Sequence, residues 1–240
     1  MPSRNNKIRF KMAKLFIVGT PIGNISDISL RALEVLKEAD LILSEDTRVT
    51  KKLLEHYQIK TPTLSYHQHS KLDKLEEIVS LLKKGKKLAL VSDAGTPGIS
   101  DPGNKLIHFL IEKTNSQIEI MVVPGPSALT AAASISGFPL DKFVFLGFPP
   151  AKKKRKKFFE EAVNLKYPVI FYESPYRIIK TLEELKVFLE KGKKENKEIF
   201  VARELTKKFE TCYRGKISEV IEKIKKDKIK GEFVVIVSQV

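Results

Sequence analysis

The chain has 240 residues, 42% of them hydrophobic, so it can bury two compact α/β domains or one large one, and wholesale disorder is excluded. No apolar run approaches the ~18 residues of a membrane span, and the first residues lack the pattern of a signal peptide. The net charge of +15 favours an anionic partner such as nucleic acid, although a Lys-biased composition is an alternative source of the excess.

The distribution of short apolar runs along the chain predicts a tail and two domains. Residues 1–12 are basic and aperiodic, which predicts a flexible tail. We expect an N-terminal α/β domain over residues 13–124 and a C-terminal α/β domain with a mixed sheet over residues 125–240. The single cysteine, Cys212, cannot form an internal disulfide, so a reducing cytoplasm is the expected location. It has no His or second Cys nearby, and we interpret it as a packing residue.

Short apolar runs that end in polar loops recur through the first half of the chain. They predict strands at 15–18, 41–43, 88–91 and 118–123, and helices at 30–39, 49–57, 72–83, 104–111 and 128–136. Ser26 or Asp27 is expected to cap the first helix. Three of the loops, at 19–24, 92–103 and 124–128, are rich in Gly and Pro, and none has the Walker or dinucleotide-binding spacing. Since ligands bind at the carboxyl ends of strands in α/β sheets, these loops predict a small-molecule site.

Polar residues in and between these loops are candidates for chemistry. Asp46 and Arg48 either orient each other beside a reacting group or belong to an ordinary acidic helix N-terminus. His67 and His69 lie two residues apart, and a metal pair, a substrate contact and a solvated loop remain open for them.

The second half of the chain predicts strands at 143–146, 169–172, 199–202, 211–213 and 233–237 and a helix at 178–190. A lysine block precedes another helix and is the best candidate for binding RNA phosphates, with a solvated loop as the alternative. The block consists of Lys152, Lys153, Lys154, Arg155, Lys156 and Lys157.

Six segments carry a resemblance to a known family. They are Gly19-Thr-Pro-Ile-Gly-Asn24, Ser44-Glu-Asp-Thr-Arg48, Ser92-Asp-Ala-Gly-Thr-Pro-Gly-Ile-Ser-Asp-Pro-Gly103, Pro124-Gly-Pro-Ser-Ala128, Phe171-Tyr-Glu-Ser-Pro175 and Ala202-Arg-Glu-Leu-Thr206. Together they resemble the tetrapyrrole methylase family, and in particular its members that methylate ribosomal RNA. The resemblance implies two α/β domains with a ligand cleft between them, a homodimer, and S-adenosylmethionine as the methyl donor. It also implies methylation of the ribose 2′-hydroxyl of a cytidine in 16S rRNA of the small ribosomal subunit, with no metal.

The resemblance also assigns positions to the site. The expected donor contacts are Ile22, Ala94, Gly95, Thr96, Ile99, Ser127, Ala128, Tyr172, Glu204, Leu205, Glu232 and Phe233. Thr96 stands where many family members have an acid. A ribose hydroxyl is a weak nucleophile that gains from a base and from a cation beside the developing alkoxide. The catalytic candidates are Asp46 as the base, Arg48 and Arg203 as the cations, and His69 or Glu173 as further groups.

Two other functions remain open from the sequence. One is methylation of a tetrapyrrole or another small molecule, against which the lysine block and Thr96 weigh. The other is a non-catalytic RNA-binding protein of ribosome assembly, against which the glycines of all three loops weigh, since a lost pocket has no need of them.

Overall fold

The computed structural model describes residues 13–68, 70–114 and 118–239. These residues form two compact units, one made of residues 13–21 and 25–126 and the other of residues 22–24 and 127–239. Each unit contains one five-stranded sheet. The predicted basic tail at 1–12 and the catalytic candidate His69 lie outside the described residues.

The first unit holds a parallel sheet with the strand order β3-β2-β4-β1-β5. Its strands are β1 (Lys14–Val18), β2 (Leu41–Ser44), β3 (Thr63–Ser65), β4 (Lys87–Val91) and β5 (Glu119–Val123). Its helices are α1 (Leu30–Glu38), α2 (Thr47–His56), α3 (Leu72–Lys83) and α4 (Asn104–Thr114). A 3-10 turn, Ile25–Asp27, precedes α1.

Helices cover both faces of this first sheet, which is why its central strands are apolar throughout. In β4, Leu88 and Leu90 face a core formed with α3 and α4. Ala89 and Val91 face the other core, formed with α1 and α2. All four side chains are buried, as the continuous apolar run predicts for a strand covered on both faces.

The second unit holds a mixed sheet with the order β6-β7-β10-β8-β9, in which β6 and β7 are parallel and the other pairs are antiparallel. Its strands are β6 (Val144–Phe145), β7 (Val169–Glu173), β8 (Glu198–Arg203), β9 (Thr211–Lys216) and β10 (Phe233–Val237). Its helices are α5 (Ala128–Ser136), α6 (Arg155–Asn164), α7 (Ile178–Lys191) and α8 (Ile217–Lys226).

The register of β10 brings the sequence motifs of the second unit to one edge of its sheet. Phe233 pairs with Glu173, the last residue of β7, and with Arg203, the last residue of β8. We call this side, where β7 and β8 end, the motif edge. At the opposite edge, Val237 pairs with Val169 and Ile199, where the same two strands begin.

The fold class predicted from the sequence is confirmed, and α3, α5 and β10 have the predicted bounds. The structure adds β3 and α8, which were not predicted, and extends or trims other elements at their ends. The prediction for the cap of α1 is wrong, because Ser26 and Asp27 lie in the 3-10 turn and the Ser29 side chain caps the helix. Among the helices of the described residues, none has both the length and the apolar composition needed to cross a membrane.

Replacing Ser29 by Ala removes the hydroxyl that accepts the Ala32 N–H at 3.1 Å, and we expect it to lower the free energy of unfolding by about 1 kcal/mol. Replacing the exposed Asp27 by Ala is the matched control, with an expected change below about 0.5 kcal/mol. Urea unfolding followed by circular dichroism measures both variants. Equal losses in the two would contradict the assignment of Ser29 as the cap.

Candidate functional site

Backbone contacts join the loops that follow β1 and β4 in the first unit. The Thr20 N–H donates to the Gly95 carbonyl at 2.9 Å, and the Gly95 N–H donates to the Thr20 carbonyl at 3.1 Å. The buried Thr20 hydroxyl also lies 3.2 Å from the Ser92 carbonyl. Gly95 has φ +81°, a conformation that favours glycine. The loop after β4 is therefore held against the loop after β1 by paired hydrogen bonds.

The loop after β5 is held by a close approach of two glycines. A Cβ atom on Gly19 would lie 2.8 Å from the Gly125 Cα, and one on Gly125 would lie 2.7 Å from the Gly19 carbonyl oxygen. A side chain at either position would therefore push the backbones apart. The Thr96 hydroxyl donates to the Pro126 carbonyl at 3.3 Å, which adds a second link. The expected donor contacts Gly95 and Thr96 thus lie in a set of interlocked loops.

Ala94 and Ile99 lie in the same long loop, and their side chains are exposed. Ile99 is 53% exposed, so its apolar surface is accessible to a ligand.

Asp46 both caps a helix and pairs with Arg48, and the catalytic role of the pair stays a prediction. The Asp46 carboxylate caps α2 by accepting the Arg48 N–H at 2.8 Å, and it also accepts the Arg48 Nη2 at 2.6 Å. The Asp46 N–H donates to the Asp93 carboxylate at 2.9 Å, so the loops after β2 and β4 meet as well. The Arg48 guanidinium nevertheless remains largely exposed.

The two carboxyls after β2 have opposite electrostatic environments. The hydrogen bond from the Arg48 side chain is the largest of the effects that lower the pKa of Asp46 to about 2. Burial raises the pKa of Glu45, and the nearby charges of Asp93 and Asp101 raise it further. A carboxylate with a pKa near 2 accepts protons poorly at neutral pH, so these contacts argue against Asp46 as the general base.

His67 makes local hydrogen bonds in the loop after β3. Its Nε2 lies 2.8 Å from the Ser65 hydroxyl, and its backbone N–H donates to the Ser70 hydroxyl at 2.8 Å. Within residues 13–68, 70–114 and 118–239, no three His, Cys, Asp or Glu side chains come together as metal ligands. His69, which is considered together with His67 as a metal pair, lies outside the described residues.

Four expected donor contacts of the second unit pack into one apolar cluster. Ile22 and Leu205 are buried there, and Ala128 and Tyr172 pack against it from α5 and β7. Ser127 precedes α5, and its side chain makes no capping hydrogen bond to the described residues. The first N–H groups of α5 therefore lie uncapped beside Ala128, where helix N–H groups bind acceptors.

Glu204, Glu232 and Phe233 contribute differently. The Glu204 carboxylate accepts the Lys207 ammonium at 2.8 Å and the Glu232 N–H at 3.1 Å. Burial alone would raise the pKa of Glu204, but these hydrogen bonds lower it. Phe233 is buried on the other face of the sheet, in the core with α6, α7 and α8. Glu204 and Phe233 thus hold the motif edge together, whereas the Glu232 side chain is largely exposed, and their donor contacts stay predictions.

Two catalytic candidates have structural roles instead. The buried Arg203 guanidinium binds the Lys228 carbonyl, the Thr211 hydroxyl and the Asp227 carboxylate. The Glu173 side chain is fully buried and accepts hydrogen bonds from the Ser174 N–H and the Thr181 hydroxyl while it pairs with Arg177. Neither group is available to a reacting hydroxyl, because its charge is already satisfied by the protein.

The lysine block divides into exposed and buried members. Its five lysines are exposed, with Lys154 at φ +66° before α6. Arg155 is buried and bonds to Glu184 at 2.6 Å and to the Thr181 hydroxyl at 2.6 Å. The prediction that Arg155 binds RNA phosphates is therefore corrected, since its guanidinium anchors α6 to α7.

The comparisons with known proteins agree with this fold and these loops. The chain matches the family of Tetrapyrrole (Corrin/Porphyrin) Methylases over residues 14–221. Among solved structures it resembles a cobalt precorrin-4 methyltransferase with a TM-score of 0.67, at 17% identity and 96% coverage of both chains. It also resembles the uroporphyrin-III-C-methyltransferase of Thermus thermophilus, with a TM-score of 0.63 at 17% identity over 95% of this chain and 94% of that one.

Curated relatives are much closer in sequence. The ribosomal RNA small subunit methyltransferase I of Thermotoga maritima is 47% identical over 95% of this chain and 99% of its own length. The protein of the same name from Mycoplasmopsis pulmonis is 48% identical over 94% of this chain and 97% of its own. The chain therefore belongs to the tetrapyrrole methylase family, and within it to the ribosomal RNA small subunit methyltransferases I, as the sequence motifs predicted.

A carbon-13 NMR titration of the Asp46 carboxyl is expected to give a midpoint near 2, which rises partway toward 3.8 in Arg48→Gln, because the Arg48 side-chain hydrogen bonds are lost while the backbone N–H still donates to the carboxylate. Since folding lowers this pKa, the stabilisation is complete at neutral pH and is lost as the pH falls from the ordinary carboxyl range toward 2. Lys51→Gln, an exposed cation on the same helix, serves as the control. A midpoint unaffected by Arg48→Gln would contradict the pairing.

Proposed function

We propose that the protein is an S-adenosylmethionine-dependent methyltransferase that acts on the ribose 2′-hydroxyl of a cytidine in 16S rRNA of the small ribosomal subunit. The observation that carries the proposal is 47% identity to a ribosomal RNA small subunit methyltransferase I over 95% of the chain. The interlocked glycine loops support a retained small-molecule site. The exposed lysines of the block support an anionic acceptor.

The donor fits the chemistry of the expected residues. An amino acid joined to a nucleoside needs backbone hydrogen bonds, an acceptor for its ammonium and apolar surface for its adenine. The first unit offers the backbone of Thr96 together with the exposed side chain of Ile99, while the hydrogen-bonded Gly95 backbone holds the loop in place. The second offers the N–H groups of α5 and the apolar cluster with Leu205. When bound, the donor supplies a methyl group on a sulfonium, already activated for in-line displacement, so the protein mainly aligns the acceptor.

The acceptor hydroxyl must lose a proton as its oxygen becomes more nucleophilic. We propose Glu45 as the base, because its half-buried carboxyl lies beside Asp93 and Asp101, and its raised pKa makes it a better proton acceptor than Asp46. Asp46 orients Arg48, whose exposed guanidinium is suited to stabilise the developing negative charge on the oxygen. Asp46 thus acts through Arg48.

Cytoplasmic location and a homodimer, both predicted from the sequence, belong to the same proposal. A tetrapyrrole acceptor is the second candidate, and it is supported by likeness of fold to enzymes that are only 17% identical. The rRNA acceptor is favoured over it because the relatives with 47–48% identity carry the rRNA name.

The direct test is transfer of labelled methyl from S-adenosylmethionine to small ribosomal subunits that lack the modification, with mass mapping of the product. We expect label on a cytidine ribose. Gly95→Arg, which places a large side chain at φ +81°, is expected to abolish donor binding in calorimetry and transfer together. Donor binding by the unaltered protein without transfer to subunits or naked rRNA would instead favour a small-molecule acceptor.

Glu45→Gln is expected to lower kcat by about 100-fold or more, with donor affinity unchanged, because a positioned base contributes a factor of this size. In the unaltered enzyme kcat rises with pH up to a pKa above the ordinary value of 4.5, and this rise disappears in the variant. Asp46→Asn keeps a side chain that can cap α2 and serves as the matched comparison, with a smaller loss of kcat. A normal kcat for Glu45→Gln would refute its role as the base.

A further inference from the structure

One aromatic side chain of the second unit is left almost wholly in solvent. Tyr176 is 95% exposed, the highest value among the Phe and Tyr side chains that the structure describes. It lies in the turn between β7 and α7, directly after the motif edge. A ring in solvent gains no stabilisation from burial in the folded chain, and both of its faces are accessible to a planar partner.

Ionic and hydrogen-bond contacts fix the turn that carries Tyr176. The neighbouring Arg177 pairs with the buried Glu173 at 2.7 Å and donates its Nη1 to the Pro149 carbonyl at 3.0 Å. The Arg177 N–H also donates to the Ser174 carbonyl at 3.1 Å. Tyr176 is thus an exposed side chain in a turn whose backbone is held in place by the contacts of Arg177.

The same buried carboxylate reaches the start of the lysine block. Glu173 accepts the Thr181 hydroxyl at 2.6 Å, and that hydroxyl in turn accepts the Arg155 guanidinium at 2.6 Å. Arg155 also donates to the Pro150 carbonyl at 2.9 Å, which fixes the loop just before the exposed Lys152 and Lys153. One hydrogen-bonded network therefore connects the turn that carries the exposed ring with the loop that carries the exposed lysines.

We propose that Tyr176 is a stacking platform for an unpaired base of the RNA substrate, and that the exposed lysines of the block hold the adjoining phosphates. An aromatic face beside cations is the arrangement by which proteins bind single-stranded nucleic acid, since the ring takes a base and the cations take its backbone. This inference rests on the proposed rRNA acceptor and adds to it a base contact and the residue that makes it. The base is taken without sequence readout, because every base has a face that stacks.

The test measures binding of a short fluorescent single-stranded RNA by anisotropy, together with kcat and KM on undermethylated small subunits. Tyr176→Ala is expected to weaken RNA binding by about tenfold and to raise KM with kcat nearly unchanged. Tyr176→Phe keeps the ring and is expected to bind like the unaltered protein, whereas Tyr176→Leu is expected to bind like the Ala variant. Thermal unfolding of all three is expected to match the unaltered protein, because the side chain is in solvent.

The opposite edge of the same sheet supplies the matched controls. Tyr167, 38% exposed, lies just before β7 as Tyr176 lies just after it, and Tyr167→Ala is expected to leave RNA binding unchanged. Two triple variants compare the charges, with Lys changed to Gln at 152, 153 and 157 or at the exposed positions 166, 193 and 216. The first triple is expected to reduce the slope of log affinity against log salt by about 2, and the second to leave it unchanged. Tyr176→Ala is expected to keep the full slope, since stacking releases no counterions.

The outcomes separate the inference from the proposed function. Unaltered RNA affinity in Tyr176→Ala, or a Leu variant that binds as tightly as the Phe variant, would overturn the stacking role even if the enzyme methylates subunits normally. Equal losses in Tyr167→Ala and Tyr176→Ala would overturn it as well. If the unaltered protein binds the donor but transfers no methyl group to subunits, the proposed acceptor is overturned, whatever the RNA affinities of the variants.

Discussion

The contact between Gly19 and Gly125 is the constraint on which the candidate site of the first unit depends. β1 lies between β4 and β5, so the loops after these three strands must emerge side by side at the carboxyl edge. They can pack only because the backbones approach more closely than a side chain would permit, since a Cβ atom on Gly19 would lie 2.8 Å from the Gly125 Cα. The paired hydrogen bonds between Thr20 and Gly95 then fix the third loop. The glycines thus serve the packing of loops on each other, and any ligand meets a preformed surface of backbone groups.

In the second unit a single buried carboxylate has a comparable role. Burying the Glu173 charge is costly unless it is paired and hydrogen-bonded, and here Arg177, the Ser174 N–H and the Thr181 hydroxyl supply three donors. In the motif at 171–175, Glu173 therefore has a structural role and does not transfer a proton. Loss of one partner would leave a buried charge unpaired, so the network is a strict requirement on the sequence.

The sequence predicted the parts of the fold that depend on apolar burial. Runs such as Phe233–Val237, buried on both faces, are visible without tertiary information. β3 could not be found in this way, because Thr63–Ser65 is three residues long and only half-buried. α8 could have been found, since Ile217, Val220, Ile221 and Ile224 have helical spacing and are all buried.

The charged residues of the site were harder to predict, for a different reason. The sequence gives the sign of a charged side chain, but it does not give its ion-pair partner or how deeply it is buried. From the sequence Arg155 and Arg203 are expected to be available cations, yet both are buried and bonded to carboxylates, hydroxyls and carbonyls. Glu45 was not predicted as a base, because its pKa differs from that of Asp46 only through tertiary contacts. Arg48 lowers the pKa of Asp46, whereas burial, Asp93 and Asp101 raise the pKa of Glu45. These are contacts between strand ends that are distant in the chain.

The buried Arg155 also explains why a run of like charges can work as a binding surface. Five flexible lysines in an unanchored loop would repel one another and lose conformational entropy on meeting a ligand. Arg155 instead ties the start of α6 to Glu184 and Thr181, so the loop is already positioned before any phosphate arrives. The entropic cost of ordering the loop backbone is therefore met when the protein folds. On binding a ligand, the lysines lose only the conformational entropy of their side chains. One buried cation therefore fixes the position of the loop and helix that carry the exposed ones.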